Sequence, residues 1–390
     1  MEYFNVSGVV EAEMIKVVHV IIGLNVGGAE LMLKRLIESH LTTGGIQHTV
    51  ISLTSLGVLG PELQRQGVNV YSLNMTTVLK GPVVLFKLRA LISKLQPDIV
   101  HSWMYHADLL AGVAAFSLGI KNIIWGIRST DITKGGSKAT ILIRKICAYL
   151  SYKVPQKILC AASVSRDVHI NVGYHSSKME VIPNGFDIAR FSNNQKDGMR
   201  LREELGVPSD SLAFISVGRY SQVKDHKTFV IAACELLKIR EDVCFILVGR
   251  DLDKHNTDLI DIIGSAGVES RFYLLGQRSD IPSCLAASDI FCLHSVTEGF
   301  PNVLGEAMLT GLPCITTDVG DARYLLNNDD FTIVASNPQL MTEKMNQLAD
   351  SPKEYRDTLG NNNRRRIVEN YSITAVSGQY MTLYNELNGK

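Results

Sequence analysis

Apolar positions along this chain follow two rhythms. Short, nearly continuous apolar runs recur at residues 16–22, 47–53, 68–73, 99–102, 122–127 and 157–161. They return at 214–218, 243–248, 271–275, 290–293 and 314–316. Runs of this length, rich in Val and Ile and bounded by turn residues, read as buried strands. Most of the segments between them, such as 29–41 and 302–310, repeat apolar residues at helical spacing. Strand and helix in alternation predict α/β units with parallel sheets covered on both faces. Later segments at 338–348, 352–369 and 372–387 read as helices, the first with proline in its opening turn.

The alternation breaks once, at VIPNGFD (181–187), where Pro, Asn and Gly mark a turn. Polar residues 192–200 read as the rest of a linker. The expected organisation is therefore a domain over 14–190, a second over 191–370, and a last helix over 371–390 crossing back to the first. Residues 1–13 hold three acids and no base, unlike a secretory leader. MIKVVHVI, from Met14, leads straight into the first strand, so 1–13 are expected to be a flexible extension dispensable for activity.

Composition narrows the class. The chain has 390 residues, 46% hydrophobic and 20% charged, enough for two large cores. Lys plus Arg equals Asp plus Glu at 39 each, which argues against general nucleic-acid binding. Seven scattered cysteines form no Cys-x-x-Cys pair and read as reduced, buried side chains of a cytoplasmic protein. No apolar run is long enough to span a bilayer.

The richest chemistry lies in HSVTEGFPNVLGEAMLTGLPCITTDVG, residues 294–320. Strand, loop, helix and strand make a βαβ unit, which binds ligands at its strand ends beside the helix N-terminus. Backbone amides and the positive helix end suit a phosphate. Glu298 in the loop and Glu306 in the helix, with seven residues between them, flank that place. A carboxylate repels phosphate, so its useful partners are hydroxyl groups: a ribose for one and a sugar ring for the other. Together these features point to a nucleotide sugar.

Glu-x7-Glu within EGFPNVLGEAMLTGLP resembles the motif of retaining glycosyltransferases of family 4, which have the GT-B fold. The resemblance covers nearly the whole chain after Met14. It implies two Rossmann-like, doubly wound parallel-sheet domains facing a cleft, with donor bound mainly by the second domain and acceptor mainly by the first. It assigns donor contacts to Gly27 and Gly28 in the first glycine loop, to Asn184 at the hinge, and to Gly276 and Gln277 near the nucleobase. Gly299, Phe300, Pro301, Asn302, Val303 and Glu306 complete the donor set. Arg219 and Lys224, in VGRYSQVKDH after the first strand of the second domain, would neutralise a leaving diphosphate without a metal. Glu298 would hold sugar hydroxyls. Neither metal nor cofactor is implied; the nucleotide sugar is a substrate.

Two places depart from the pattern. Arg128, in IIWGIRSTD, stands where many members carry a histidine, and would offer a fixed positive charge to phosphate or to an acidic sugar. VGRD (248–251) lacks the usual Gly-x-Gly turn, and Asp251-Leu252-Asp253 reads as turn and capping chemistry. Further polar strand ends at His101 to Trp103, at Arg128 to Asp131 and at Ser163 to Ser165 would face the acceptor or the sugar. His101 and His106 fit either that role or plain packing.

The family's makeup further implies a hexosyl donor, expected to be a UDP-sugar. It implies a polyprenyl-diphosphate-linked saccharide acceptor in bacterial surface polysaccharide assembly, with loose attachment to the inner face of the membrane. Two basic, apolar segments, 80–95 and 138–153, bear on that attachment. They fit an anionic membrane surface or ordinary packing on the sheet. The rivals are a nucleotide-sugar epimerase or other GT-B enzyme without transfer, and a secreted sugar-binding protein. A dehydrogenase is disfavoured by the missing Gly-x-Gly-x-x-Gly spacing.

Overall fold

The computed structural model describes residues 14–77, 81–130, 137–192 and 194–389. Expectations for 1–13, for Lys80, for Asp131 and for residue 193 lie outside these. The chain divides into two compact units. One runs to Cys160 and adds Val168–Ile182 and the residues from Ser377 on; the other is Ala161–Asp167 with Pro183–Val376.

Among the described residues the first unit holds seven strands: β1 Ile15–Ile21, β2 Ile46–Ser52, β3 Asn69–Ser72, β4 Ile99–Trp103, β5 Ile123–Ile127, β6 Lys157–Cys160 and β7 Met179–Val181. They form one parallel sheet in the order β3-β2-β1-β4-β5-β6-β7. The second unit holds β8 Leu212–Val217, β9 Val243–Val248, β10 Phe272–Leu274, β11 Ile290–Leu293, β12 Cys314–Thr317 and β13 Thr332–Ile333. Their order is β10-β9-β8-β11-β12-β13, again parallel. Both sheets are doubly wound and Rossmann-like, as the alternation predicts. In each, strand order reverses once, between β1 and β4 and between β8 and β11. Ligands of such sheets bind at the carboxyl ends of the strands on either side of that reversal.

Two local expectations need correction. Residues 195–200 are not linker but the first turns of a helix, Gln195–Leu205. Its buried face includes Gly198, where an added Cβ would lie 2.5 Å from the Ala286 carbonyl oxygen, so a polar-looking stretch is pinned by close backbone packing. The two-residue strand β13 was not foreseen, because a run so short carries no periodicity.

A line of buried imidazoles lies across the core of the first unit. Trp103 Nε1 donates to His19 Nδ1 (3.2 Å) and His19 Nε2 to His48 Nδ1 (2.9 Å). His48 Nε2 then donates to His40 Nδ1 (3.2 Å) and His40 Nε2 to the Ser377 carbonyl (3.0 Å). The indole can only donate and the carbonyl can only accept, so the ends dictate every tautomer between them. All three imidazoles must be neutral, since an extra proton would set N–H against N–H. The chain thereby ties the last helix, Ile373–Leu387, to the sheet of the first unit from Ser377 onward.

Burial pushes His48 down to about 3, and burial holds His19 and His101 well below the ordinary imidazole value. In the second unit burial lowers His226 to about 2 and His294 to about 4. Each depressed imidazole binds its proton in the unfolded chain below about pH 6.5 but not in the folded one. Stability is therefore full above pH 6.5 and falls as pH drops toward the folded values. The loss is roughly 1.4 kcal/mol per pH unit for each such histidine. Asp108 acts oppositely: burial raises it to about 7, so its cost to the fold fades as pH falls from 7 toward 4. The histidines outnumber it. Urea midpoints should drop markedly between pH 7 and pH 5; equal midpoints would show that these imidazoles are not held neutral.

Candidate active site at the β8 and β11 strand ends

In the second unit the loops leaving β8 and β11 meet. Adjacent strands of a parallel sheet send their following loops out side by side, and the Val296 amide donates to the Val223 carbonyl at 2.9 Å. Lys224 and Glu298 come together there, Nζ to Oε1 at 2.5 Å, with side chains 23% and 11% exposed. Ser295 Oγ donates to the same Oε1 at 2.6 Å, so both protein contacts fall on one carboxylate oxygen. Residues 74 positions apart in sequence thus form a largely desolvated ion pair at the reversal point.

Beneath the pair, His294 ends β11 and clamps the lysine loop. Its Nδ1 donates to the Lys224 carbonyl at 2.6 Å and its Nε2 accepts from Ser216 Oγ at 2.6 Å. It stacks on Phe229 with ring centroids 4.9 Å apart. After Lys224 the chain turns through Asp225 at φ 50, whose carboxylate accepts from Thr228 and Ser336 hydroxyls and opens the helix His226–Leu237. Arg219, on the same β8 loop, is exposed and makes no ion pair within the described residues.

The helix Asn302–Thr310 begins directly after this loop and ends at Gly311, φ 90, as the sequence predicts. Its first amides have no intrahelical acceptor and present partial positive charge. Its packing explains a glycine: a Cβ on Gly305 would lie 2.1 Å from Phe186, so the hinge-region ring lies directly against the helix. Asn184 Nδ2 donates to Asn302 Oδ1 at 2.9 Å, joining the hinge segment to the helix start. Glu306 is partly buried one turn into the helix.

Glycines bring the other loops close. At Gly249, φ 155, a Cβ would lie 2.0 Å from the Gly218 carbonyl oxygen, so the β9 turn abuts the β8 loop. The Gly249 amide also donates to the Gly276 carbonyl, which places Gly276 (φ 63) beside it, with Gln277 exposed next in the chain. Asp253 Oδ1 accepts from the His255 amide at 2.8 Å, a capping turn. At Gly320, φ 58, a Cβ would meet the Gly299 and Glu298 carbonyl oxygens at 2.4 and 2.6 Å. Asp321 donates its amide to the Gly299 carbonyl. Its carboxylate accepts from the amides of Ser163 (2.7 Å) and Val164 (3.0 Å). The Ser163 to Ser165 segment, expected as a polar strand end, is thus the start of the helix Ser163–Val172, already capped by an acid.

In the first unit, Gly27 and Gly28 open the helix Gly28–Thr43 after β1, and Gly28 faces open space. Of the two places open to His101, the sugar side or packing, the structure shows packing. The imidazole is fully buried, with Nδ1 2.8 Å from the Tyr384 hydroxyl. Arg128 is likewise engaged: it donates to the Tyr380 hydroxyl and to the Ile182 carbonyl, and lies 5.0 Å over the Trp103 ring. Its guanidinium fastens the last helix through Tyr380. His106 sits in the first turn of the helix Tyr105–Ser117, half-buried. The sequence reading missed His294, Ser295, Gly320 and Phe186 as shaping residues. All lie inside or next to the quoted motifs, and their position at strand ends and turns was the available signal.

Two doubly wound sheets with glycine loops and charged residues at their reversal points define a nucleotide-binding class of α/β protein. The family described as Glycosyltransferase Family 4 matches residues 26–190, and that described as Glycosyl transferases group 1 matches residues 199–366. The chain belongs to the family 4 glycosyltransferases, with the GT-B fold, and is an enzyme of that class. An Escherichia coli UDP-Gal:alpha-D-GlcNAc-diphosphoundecaprenol alpha-1,3-galactosyltransferase is 27% identical over 316 residues, covering 80% of this chain and 81% of its own. A Staphylococcus aureus capsular polysaccharide biosynthesis glycosyltransferase, CapH, is 27% identical over 305 residues, 75% of this chain and 79% of its own. The crystal structure of Anabaena HepE in complex with UDP shares the fold at TM-score 0.82 and 21% identity, over 95% of this chain and all of that one.

Gly320→Ala should cost about 1–3 kcal/mol, since it forces a left-handed alanine against two carbonyl oxygens. It should also displace the Glu298 loop. Thermal unfolding together with UDP calorimetry checks this; a variant as stable as the parent, with the same affinity, would remove Gly320 as the backing of the loop.

Proposed function

We propose that this enzyme transfers a hexosyl group from a nucleotide-diphosphate sugar, a UDP-sugar by preference, to a polyprenyl-diphosphate-linked saccharide, with retention at the anomeric carbon. The product would serve bacterial surface polysaccharide assembly. The observation that carries the reading is the Lys224–Glu298 contact at the β8/β11 reversal, beside the start of the helix Asn302–Thr310. The printed activity of the E. coli relative supports the choice of donor and acceptor class.

In this reading Lys224, Arg219 and the first amides of that helix take the diphosphate. Fixed cations and amide dipoles stabilise charge where it develops as the C1–O bond breaks. Glu298, freed in part from Lys224 as phosphate oxygens arrive, turns its carboxylate to sugar hydroxyls. Glu306 holds the ribose, and the Gly276–Gln277 turn meets the base. The acceptor hydroxyl approaches from the face the diphosphate leaves, through an oxocarbenium-like state. Its proton passes to a departing phosphate oxygen while the new C1–O bond forms. The first unit, with His106, serves the acceptor side; no metal enters the scheme.

Lys224→Ala should weaken UDP binding at least tenfold, the loss of a charged hydrogen bond being worth about 1.5–3 kcal/mol. Calorimetry at two salt concentrations measures it, and unchanged affinity removes Lys224 from the diphosphate site. Glu298→Gln should keep UDP affinity within a few fold yet lower transfer more than a hundredfold. NMR of the product decides the stereochemistry: an inverted anomeric centre, or a covalent sugar trapped on Glu298, ends the front-face mechanism. Donor incubated alone should hydrolyse slowly; an epimerised donor would favour the non-transferring rival.

A further inference from the structure

The first unit contains an apolar pocket of about 390 Å³, lined by Met75, Gly81, Pro82, Leu85, His106, Leu109, Leu110, Val113 and Ile143. Its volume falls in the range of small-molecule sites, roughly 300–1,000 Å³. Among the described residues of the lining His106 is the single ionisable one, and burial lowers its pKa, so it favours the neutral form. The pocket sits among three helices, Gly81–Leu95, Tyr105–Ser117 and Lys138–Leu150.

The helices beside it are not ordinary amphipathic elements. Gly81–Leu95 packs Val84, Leu88 and Ile92 into the core, yet leaves Val83 at 59% and Phe86 at 75% exposed. Lys138–Leu150 buries Ile143, Cys147 and Ala148, yet shows Leu142, Ile146 and Tyr149 to solvent at i, i+4, i+7 spacing. An apolar stripe thus lies on the side of that helix facing away from its core contacts. Neither helix contains an acidic residue, while Lys87, Lys94, Lys138 and Lys145 are exposed on them. In a chain whose basic and acidic residues balance at 39 each, this is a local excess of positive charge on two of the helices that form the pocket.

We propose that this pocket seats the hydrocarbon chain of an anionic lipid-linked acceptor, a long-chain alkyl or isoprenyl diphosphate, with exposed lysines of the two flanking helices taking the phosphates. The inference rests on the acceptor class given under the proposed function and deepens it. A concave, apolar-lined volume suits one chain, whereas docking on a bilayer surface needs only the exposed stripe. His106, neutral and half-buried, tolerates an apolar neighbour in the lining. The two basic, apolar segments therefore both pack on the sheet and leave a surface for lipid.

The test uses the full chain and a series of simple alkyl diphosphates, from butyl to hexadecyl, kept below their micelle concentrations. Calorimetry should show affinity rising roughly threefold to fourfold per methylene that enters the pocket. It should then level off once the pocket is full. Affinity that ignores chain length, or climbs without levelling as in partition into a lipid phase, overturns the proposal. Val113→Phe, which fills the pocket, and Leu85→Gln, which makes its wall polar, should each weaken undecyl diphosphate at least tenfold. UDP affinity should stay within twofold in both. Undiminished binding of undecyl diphosphate by both variants overturns the assignment of this pocket. The UDP arm separates the two readings: loss of UDP binding in the parent enzyme counts against the donor site, whereas the chain-length series decides the pocket alone.

Discussion

A lysine and a glutamate held in contact at the point where a parallel sheet reverses its strand order are the constraint on which the proposed donor site depends. Lys224 leaves β8 and Glu298 leaves β11, and those strands are neighbours in the sheet though far apart in sequence. Each charge would be costly in this desolvated place without the other. The pair holds Lys224 in position. Under the proposed function a diphosphate would take over the lysine while the carboxylate turns to hydroxyl groups, so that one contact would serve both the fold and the chemistry.

Close backbone packing keeps that contact in register. His294 fastens the lysine loop through the Lys224 carbonyl, Gly249 lets the β9 turn press on Gly218, and Gly320 lets the following loop press on Glu298 and Gly299. Phe186, from the segment entering the second unit, lies against Gly305. Each glycine stands where a Cβ would meet carbonyl oxygen or an aromatic ring at less than contact distance. The site is therefore built on approaches between main chains, with few side chains as spacers, and small residues there carry mechanical importance out of proportion to their size.

The first unit follows a different logic. At its sheet, neutral histidines, Trp103 and Arg128 meet Tyr380 and Tyr384 of the last helix in one polar cluster. Buried polar groups demand partners, and here the partners come from the far end of the chain. The Ser377 carbonyl and two tyrosine hydroxyls close hydrogen bonds that the sheet alone would leave open. That is why Arg128 and His101, which look like ligand groups at strand ends, are engaged in packing.

The sequence by itself determined the strands other than β13, the two parallel sheets, the helix Asn302–Thr310 with its Gly311 stop, and the family. Apolar periodicity and turn residues act locally, so they can be read in order along the chain, and the Glu298 to Glu306 motif is contiguous. Only the tertiary structure decided which polar residue faces another. The Lys224–Glu298 pair, the Trp103-to-Ser377 imidazole line, the Asp321 cap on Ser163 and the apolar pocket beside His106 each join residues from separate segments. Whether a histidine packs or binds depends on neighbours that arrive from elsewhere in the fold. No local pattern carries that information, because it is created when the sheet brings distant strand ends side by side.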